Sequence, residues 1–137
     1  MSKSNKIMIQ VCLCGAGTKK AQAPTVPYTA DELAEQIVAC AKAGASIAHI
    51  HVREDKVVDG EMQIGYKSMS LQKFTEAVEK TRELCAKENV DIIINLTTSG
   101  GEYEDQKRLQ HLAALHPEMC SFDPNTLTWS NSYIFEN

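Results

Sequence analysis

The chain has 137 residues, 43% hydrophobic and 23% charged, which suits one modest globular core and is too short for two comfortable domains. Lys and Arg total 14 against 18 Asp and Glu, a net charge of −4 that argues against a nucleic-acid partner or an anionic membrane surface. No apolar run approaches the roughly 18–20 residues of a membrane helix, and the start MSKSNKIMIQ lacks a signal-peptide hydrophobic region, so a soluble cytoplasmic protein is expected.

Residues 6–14 (KIMIQVCLC) alternate with period two and predict a strand. Ile7, Ile9, Val11 and Leu13 form its apolar face, and Met8, Gln10, Cys12 and Cys14 the other. A loop broken by Pro24 and Pro27 follows. Thr29 then opens a helix, with Glu32 completing a capping box, Leu33, Ile37 and Ala41 marking an apolar stripe, and Gly44 as the stop. Residues 46–53 (SIAHIHVR) predict a second strand, and 54–69 a polar loop with room for a short hairpin. Ser70 caps a second helix, Leu71–Glu88, with Leu71, Phe74, Val78 and Leu84 inward. A third strand is expected over 90–98, a Gly-rich turn over 99–102, a third helix over 104–115 and a fourth strand over 119–123. The tail, 124–137, is expected to be irregular or a short extension, with Trp129 and Tyr133 packing it.

This βαβαβαβ order predicts an α/β fold with a parallel sheet and right-handed crossovers. Ile92, Ile94 and Leu96 of the third strand belong with the apolar face of the first, under the helices. The opposite face carries Gln10, Cys12 and Cys14, His49 and His51, Asn95 and Thr97, and Ser121 and Asp123. These polar groups crowd the C-terminal strand ends, where barrels and open α/β sheets place their active sites. Polar strand ends near solvent are the plainer explanation of the same pattern.

His49 and His51 are the sharpest feature. Residues i and i+2 of a strand share a face, so two imidazoles can converge on one metal ion, with zinc the expected choice. The alternative is a pair of hydrogen-bonded histidines without a metal. A third protein ligand is open between Cys12, Cys14, Asp123 and a group outside this chain. Five cysteines with no CxxC spacing predict reduced thiols, not a disulfide framework or a ribbon-type zinc site. Cys40 and Cys85 read as small buried hydrophobes. Thr97, Thr98, Ser99, Gly100 and Gly101 form a strand-to-helix turn suited to a carboxylate or phosphate. His111 and His116, on or after the third helix, are expected at the surface or in capping roles.

The blocks GAGTKKAQAPTVPYTADELAEQ, AGASIAHIHVRE, INLTTSGG and HPEMCSFDPNTLTW resemble, in order, the β-keto acid cleavage enzymes, a family that includes the 3-keto-5-aminohexanoate cleavage enzyme of lysine fermentation. The resemblance implies a parallel (β/α) TIM barrel, a transferase that exchanges a β-keto acid with acetyl-CoA in a Claisen-type step. It implies Zn2+ held by His49 and His51, catalytic roles for Thr97, Thr98 and Ser121, and substrate binding by Arg53, Asn95, Ser99, Gly100 and Gly101. Where family members carry a Glu after Gly-Ala, this chain has Gly17, and Asn125 and Thr128 stand about where the family has a Gly and an Asn. The family's remaining metal carboxylate and its Asp/Arg base pair lie in the second half of the barrel.

A barrel needs eight strands and about 250 residues, so residues 1–137 are expected to form one partial barrel domain of four strands and three helices. The expected partners are a β-keto acid, acetyl-CoA, and either further copies in a homo-oligomer or a complementary C-terminal half-barrel. Little activity is expected of the chain alone. Competing functions are a silent half-barrel that assembles or binds metal, and an amidohydrolase-type metal hydrolase, whose HxH pair belongs on the first strand and not the second.

Overall fold

A computed structural model describes residues 6–99, 105–122, 127–130 and 133–135. In chain order the elements are β1 (Gln10–Cys12), α1 (Ala30–Lys42), β2 (Ile47–Ile50), β3 (Val52–Val58), β4 (Glu61–Ser68), α2 (Leu71–Glu88), β5 (Ile93–Leu96), α3 (Asp105–Leu115), β6 (Met119–Cys120), β7 (Leu127–Ser130) and β8 (Tyr133–Phe135). Strands β1, β2, β5 and β6 pair in that order, all parallel. This is the α/β arrangement of a partial (β/α) barrel, as expected. No helix among the described residues is long and apolar enough to cross a membrane.

The helices form where their caps and stripes lie. Thr29 accepts from the Glu32 N–H while Glu32 accepts from the Thr29 N–H, the capping box read in the sequence. Leu33, Ile37 and Val38 of α1 and Phe74, Ala77 and Cys85 of α2 pack on Ala48, Ile50, Ile94 and Leu96 of the sheet. Val78 and Leu84 are half-buried at its margin, and Cys40 is half-buried on α1. Helix α2 ends at Asn89, whose φ of 52° closes the last turn.

Five expectations change or sharpen. The first strand pairs only over Gln10–Cys12, and Ile7 and Ile9 are 85% and 53% exposed, not under the helices. The ladder begins where Ser46 and Ile47 donate to the Ile9 carbonyl, and β2 offers no earlier residue to pair. The second strand divides at His51: β2 ends at Ile50, and β3 turns away to pair with β4. The segment read as a polar loop with room for a short hairpin is a full hairpin, closed by Asp59 and Gly60 with φ of 52° and 82°, the two-positive-φ geometry that Asp-Gly favours. The tail forms the antiparallel β7–β8 pair. Finally, His111 is fully buried, its ring stacked on Phe74 at 4.0 Å. A helix-face imidazole bonded to a strand-end carbonyl serves as core. His116 takes the capping role expected of it, at φ 45° with its N–H on the Leu112 carbonyl.

Candidate metal centre

The parallel register sets Cys12 beside His49 and His49 beside Asn95, one row across β1, β2 and β5. Residues paired in register share a face, so this row stands opposite the helix-covered Ala48, Ile50, Ile94 and Leu96. His51 follows two residues after His49 on the same side. The two Nε2 atoms face each other at 3.2 Å, with the rings edge to face. Two nitrogens bound to one tetrahedral zinc at about 2.05 Å stand about 3.3 Å apart, so the pair is set for chelation with almost no movement. The Cys12 Sγ lies with both ring nitrogens inside a cluster whose atoms are all within 4.8 Å of one another.

The surroundings orient His49 and disfavour a charged His51. The His49 Nδ1 faces Asn95 Oδ1 at 3.1 Å, an acceptor that suits the Nδ1–H tautomer. The Asn95 amide in turn donates to Gln10 Oε1 at 3.2 Å. Burial pushes His51 down to about 4, helped by the charges of His49 and Arg53. Asn95 is thus an orienting partner of His49, a role the sequence signalled only by its place on the polar face.

Arg53 is 5% exposed, and its guanidinium is committed to main-chain carbonyls: Cys14 at 2.8 Å, Gly65 at 2.9 Å, Gly15 at 3.0 Å and Thr18 at 3.2 Å. It ties the loop after β1 to the β3–β4 hairpin. Tyr28 lies over the same knot, its hydroxyl accepting from the Lys20 N–H and its ring against Gly65. A Cβ at Gly65 would fall 2.0 Å from that ring, and Gly65 has a φ of +61°. Cys14 is buried with its thiol donating to the His51 carbonyl at 3.1 Å, and burial raises its pKa. It braces the His51 backbone from just beyond the end of β1. A cavity of about 330 Å³ opens beside His51 and Arg53, walled by Tyr28, Asp31, Lys73 and Glu76.

The hydroxyls at the end of β5 are engaged with one another. Ser121 Oγ accepts from the Thr98 N–H at 2.9 Å, and the Thr98 hydroxyl donates to the Ser121 carbonyl at 3.2 Å. Thr97 Oγ1 accepts from the Ser99 N–H at 3.1 Å, and Arg108 donates to the Thr98 carbonyl. Thr97 and Thr98 are buried. His111 Nε2 reaches the Thr97 carbonyl at 2.8 Å. Thr98 and Ser121 therefore come together as a latch between the ends of β5 and β6, with Thr97 and Ser99 bonded to each other beside it. Gly100, Gly101 and Asp123 lie outside the described residues.

A family model described as beta-keto acid cleavage enzyme matches residues 6–137. The chain is 38% identical over 133 residues to a 3-keto-5-aminohexanoate cleavage enzyme of Fusobacterium nucleatum, covering 96% of this chain and 44% of that protein. The enzyme of the same name from Acetoanaerobium sticklandii is 35% identical over 133 residues, with the same coverage. A 3-dehydrocarnitine:acetyl-CoA trimethylamine transferase of Rhizobium meliloti is 27% identical over 158 residues, covering 100% of this chain and 49% of its own. The chain thus spans about half the length of the curated relatives it matches. Among solved structures, the binary complex of ObcA with oxaloacetate aligns with a TM-score of 0.66 at 22% identity, over 86% of this chain and 27% of that one. That likeness concerns the fold.

Proposed function

Because the chain belongs to the β-keto acid cleavage enzyme family, we propose that it forms the metal-holding part of a zinc-dependent enzyme of this class. The reaction proposed is the exchange of a β-keto acid, such as 3-keto-5-aminohexanoate, with acetyl-CoA to give acetoacetate and an acyl-CoA. The observation that carries this reading is the 3.2 Å spacing of the His49 and His51 Nε2 atoms on the open face of the sheet. The names of the relatives at 38% and 35% identity support the choice of substrate, and a transferase that uses acetyl-CoA supports the co-substrate.

His49 and His51 would hold the ion. When bound, zinc supplies a Lewis acid that polarises the keto and carboxylate oxygens of the substrate. Asn95 keeps His49 in the tautomer with a free Nε2 lone pair. Thr98 and Ser121 tie the ends of β5 and β6 together, and Thr97, Thr98 and Ser121 are assigned to stabilising the charge that develops in the transition state, with substrate binding assigned to Ser99, Gly100 and Gly101. Arg53 belongs to the site through the loop and hairpin it joins. Exposed apolar residues lie at both edges of the parallel sheet, Ile7, Met8 and Ile9 before β1 and Phe122 after β6. They support a partner that completes the barrel, either another copy or a complementary C-terminal half.

The test measures zinc content and turnover on the purified chain. Stoichiometric zinc that is lost in His49→Ala, with acetoacetate formed from 3-keto-5-aminohexanoate and acetyl-CoA once a relative's C-terminal half is added, is the expected result. Absence of zinc binding would refute the metal reading. Zinc without turnover under either condition would leave a metal-binding module, the second function that the three clustered donors favour.

A further inference from the structure

We infer that Cys12 is the third protein donor to the ion held by His49 and His51, giving this chain a Cys/His2 site of its own with an open fourth position. This rests on the metal reading above and adds a ligand that the His-x-His spacing does not contain. Three observations carry it. First, Cys12 is paired in register with His49 across β1 and β2, so its side chain rises from the same face one strand away. Second, its Sγ and the two ring nitrogens are all within 4.8 Å of one another. In a tetrahedral site with a Zn–S bond of about 2.3 Å, sulfur and nitrogen stand about 3.6 Å apart. The closure needed is therefore about 1 Å, within reach of a turn of the Cys12 side chain. Third, Cys12 is exposed while both histidines are half-buried. The ion would be gripped from below by imidazoles and from the β1 edge by sulfur, with solvent or substrate on the remaining side.

Cys14, the other cysteine of the strand, does not compete. Its Sγ is buried and donates to the His51 carbonyl. It packs behind the backbone of the pair and does not face the nitrogens.

A thiolate and two neutral imidazoles make a borderline-soft donor set. It favours zinc or cobalt over magnesium or manganese. Binding releases the Cys12 thiol proton to solvent as the metal–sulfur bond forms. No electrons are exchanged.

Cobalt(II) is the probe that separates this inference from the reading it rests on. Titrated into the reduced, metal-free full chain, cobalt should produce visible ligand-field bands together with a near-ultraviolet thiolate-to-metal charge-transfer band. Cys12→Ala should abolish the charge-transfer band and weaken cobalt binding by about tenfold or more. Cys120→Ala, which alters an exposed thiol on β6, should leave the band in place. Cobalt bound by the wild type without the charge-transfer band, or a band that survives in Cys12→Ala, would overturn the role of Cys12 and leave the histidine pair standing. No cobalt bound at all would overturn the metal reading itself and this inference with it.

Discussion

Arg53→Ala is the substitution with the most to reveal. The guanidinium makes four hydrogen bonds to carbonyls of Cys14, Gly15, Thr18 and Gly65. A hydrogen bond to a charged group contributes about 1.5–3 kcal/mol. The four share one side chain, and the carbonyls of the loop regain some water when it is removed, so the sum overstates the loss. An expected cost of about 3–5 kcal/mol allows for that and for the carbonyls left without their donor. Against the 5–15 kcal/mol that stabilises an ordinary domain, that brings the fold near its threshold. Arg53→Lys keeps the charge but replaces a planar five-donor fork by three donors on one atom, and should cost about 1–2 kcal/mol. Urea unfolding followed by circular dichroism measures both. With a slope of about 2 kcal/mol per molar, the midpoint should fall by about 2 M for Ala and by less than 1 M for Lys. An Arg53→Ala variant that unfolds within about 0.5 kcal/mol of the wild type would refute the structural tie. Unchanged stability with lost substrate affinity would instead return Arg53 to direct substrate binding.

Gly65→Ala should destabilise by about 2–4 kcal/mol, combining the left-handed backbone penalty with displacement of the Tyr28 ring. Tyr28→Ala in the same background should relieve the steric part, and a double-mutant cycle showing no coupling would sink the explanation. Stability of the metal-free chain should fall on acidification from about pH 6.5, because the unfolded state binds protons that the folded histidines refuse. His51 is pushed down to about 4 and buried His111 is also lowered by burial. For a depressed histidine the unfolded state carries more protons between the two pKa values, so stability rises with pH across that window and flattens below it. The His51 share is about 3 kcal/mol at most. Urea midpoints from pH 7.5 to 4.5 should show this slope. It should be shallower in His111→Phe, and an identical slope there would remove His111 from the account.

Much of the candidate site was legible in one dimension because strand geometry has period two. The alternation that placed Gln10, Cys12, His49, His51 and Asn95 on one face needed no partner to be seen, and the parallel register kept it. The same holds for Thr29 with Glu32 and for Ser70, whose caps depend on residues three positions away. The hairpin carried a local signal as well, the Asp59-Gly60 pair, set between residues that alternate too weakly to be read as strands.

Local order therefore decided the α/β pattern, the helix boundaries and the polar face with its two histidines. Tertiary structure decided what each polar group does there. Arg53 and His111 look in sequence like an available cation and a surface imidazole. Only the folding of the loop after β1 over the hairpin surrounds Arg53 with carbonyls, and only the packing of α3 on Phe74 buries His111. The choice between Cys12 and Cys14 is of the same kind. Both share one parity in the chain, but Cys12 stays in the ladder beside His49 while Cys14 lies beyond the end of β1 and turns to the His51 backbone. Spacing along a strand specifies a face, whereas the partner a group meets depends on segments tens of residues away that only the assembled fold brings near.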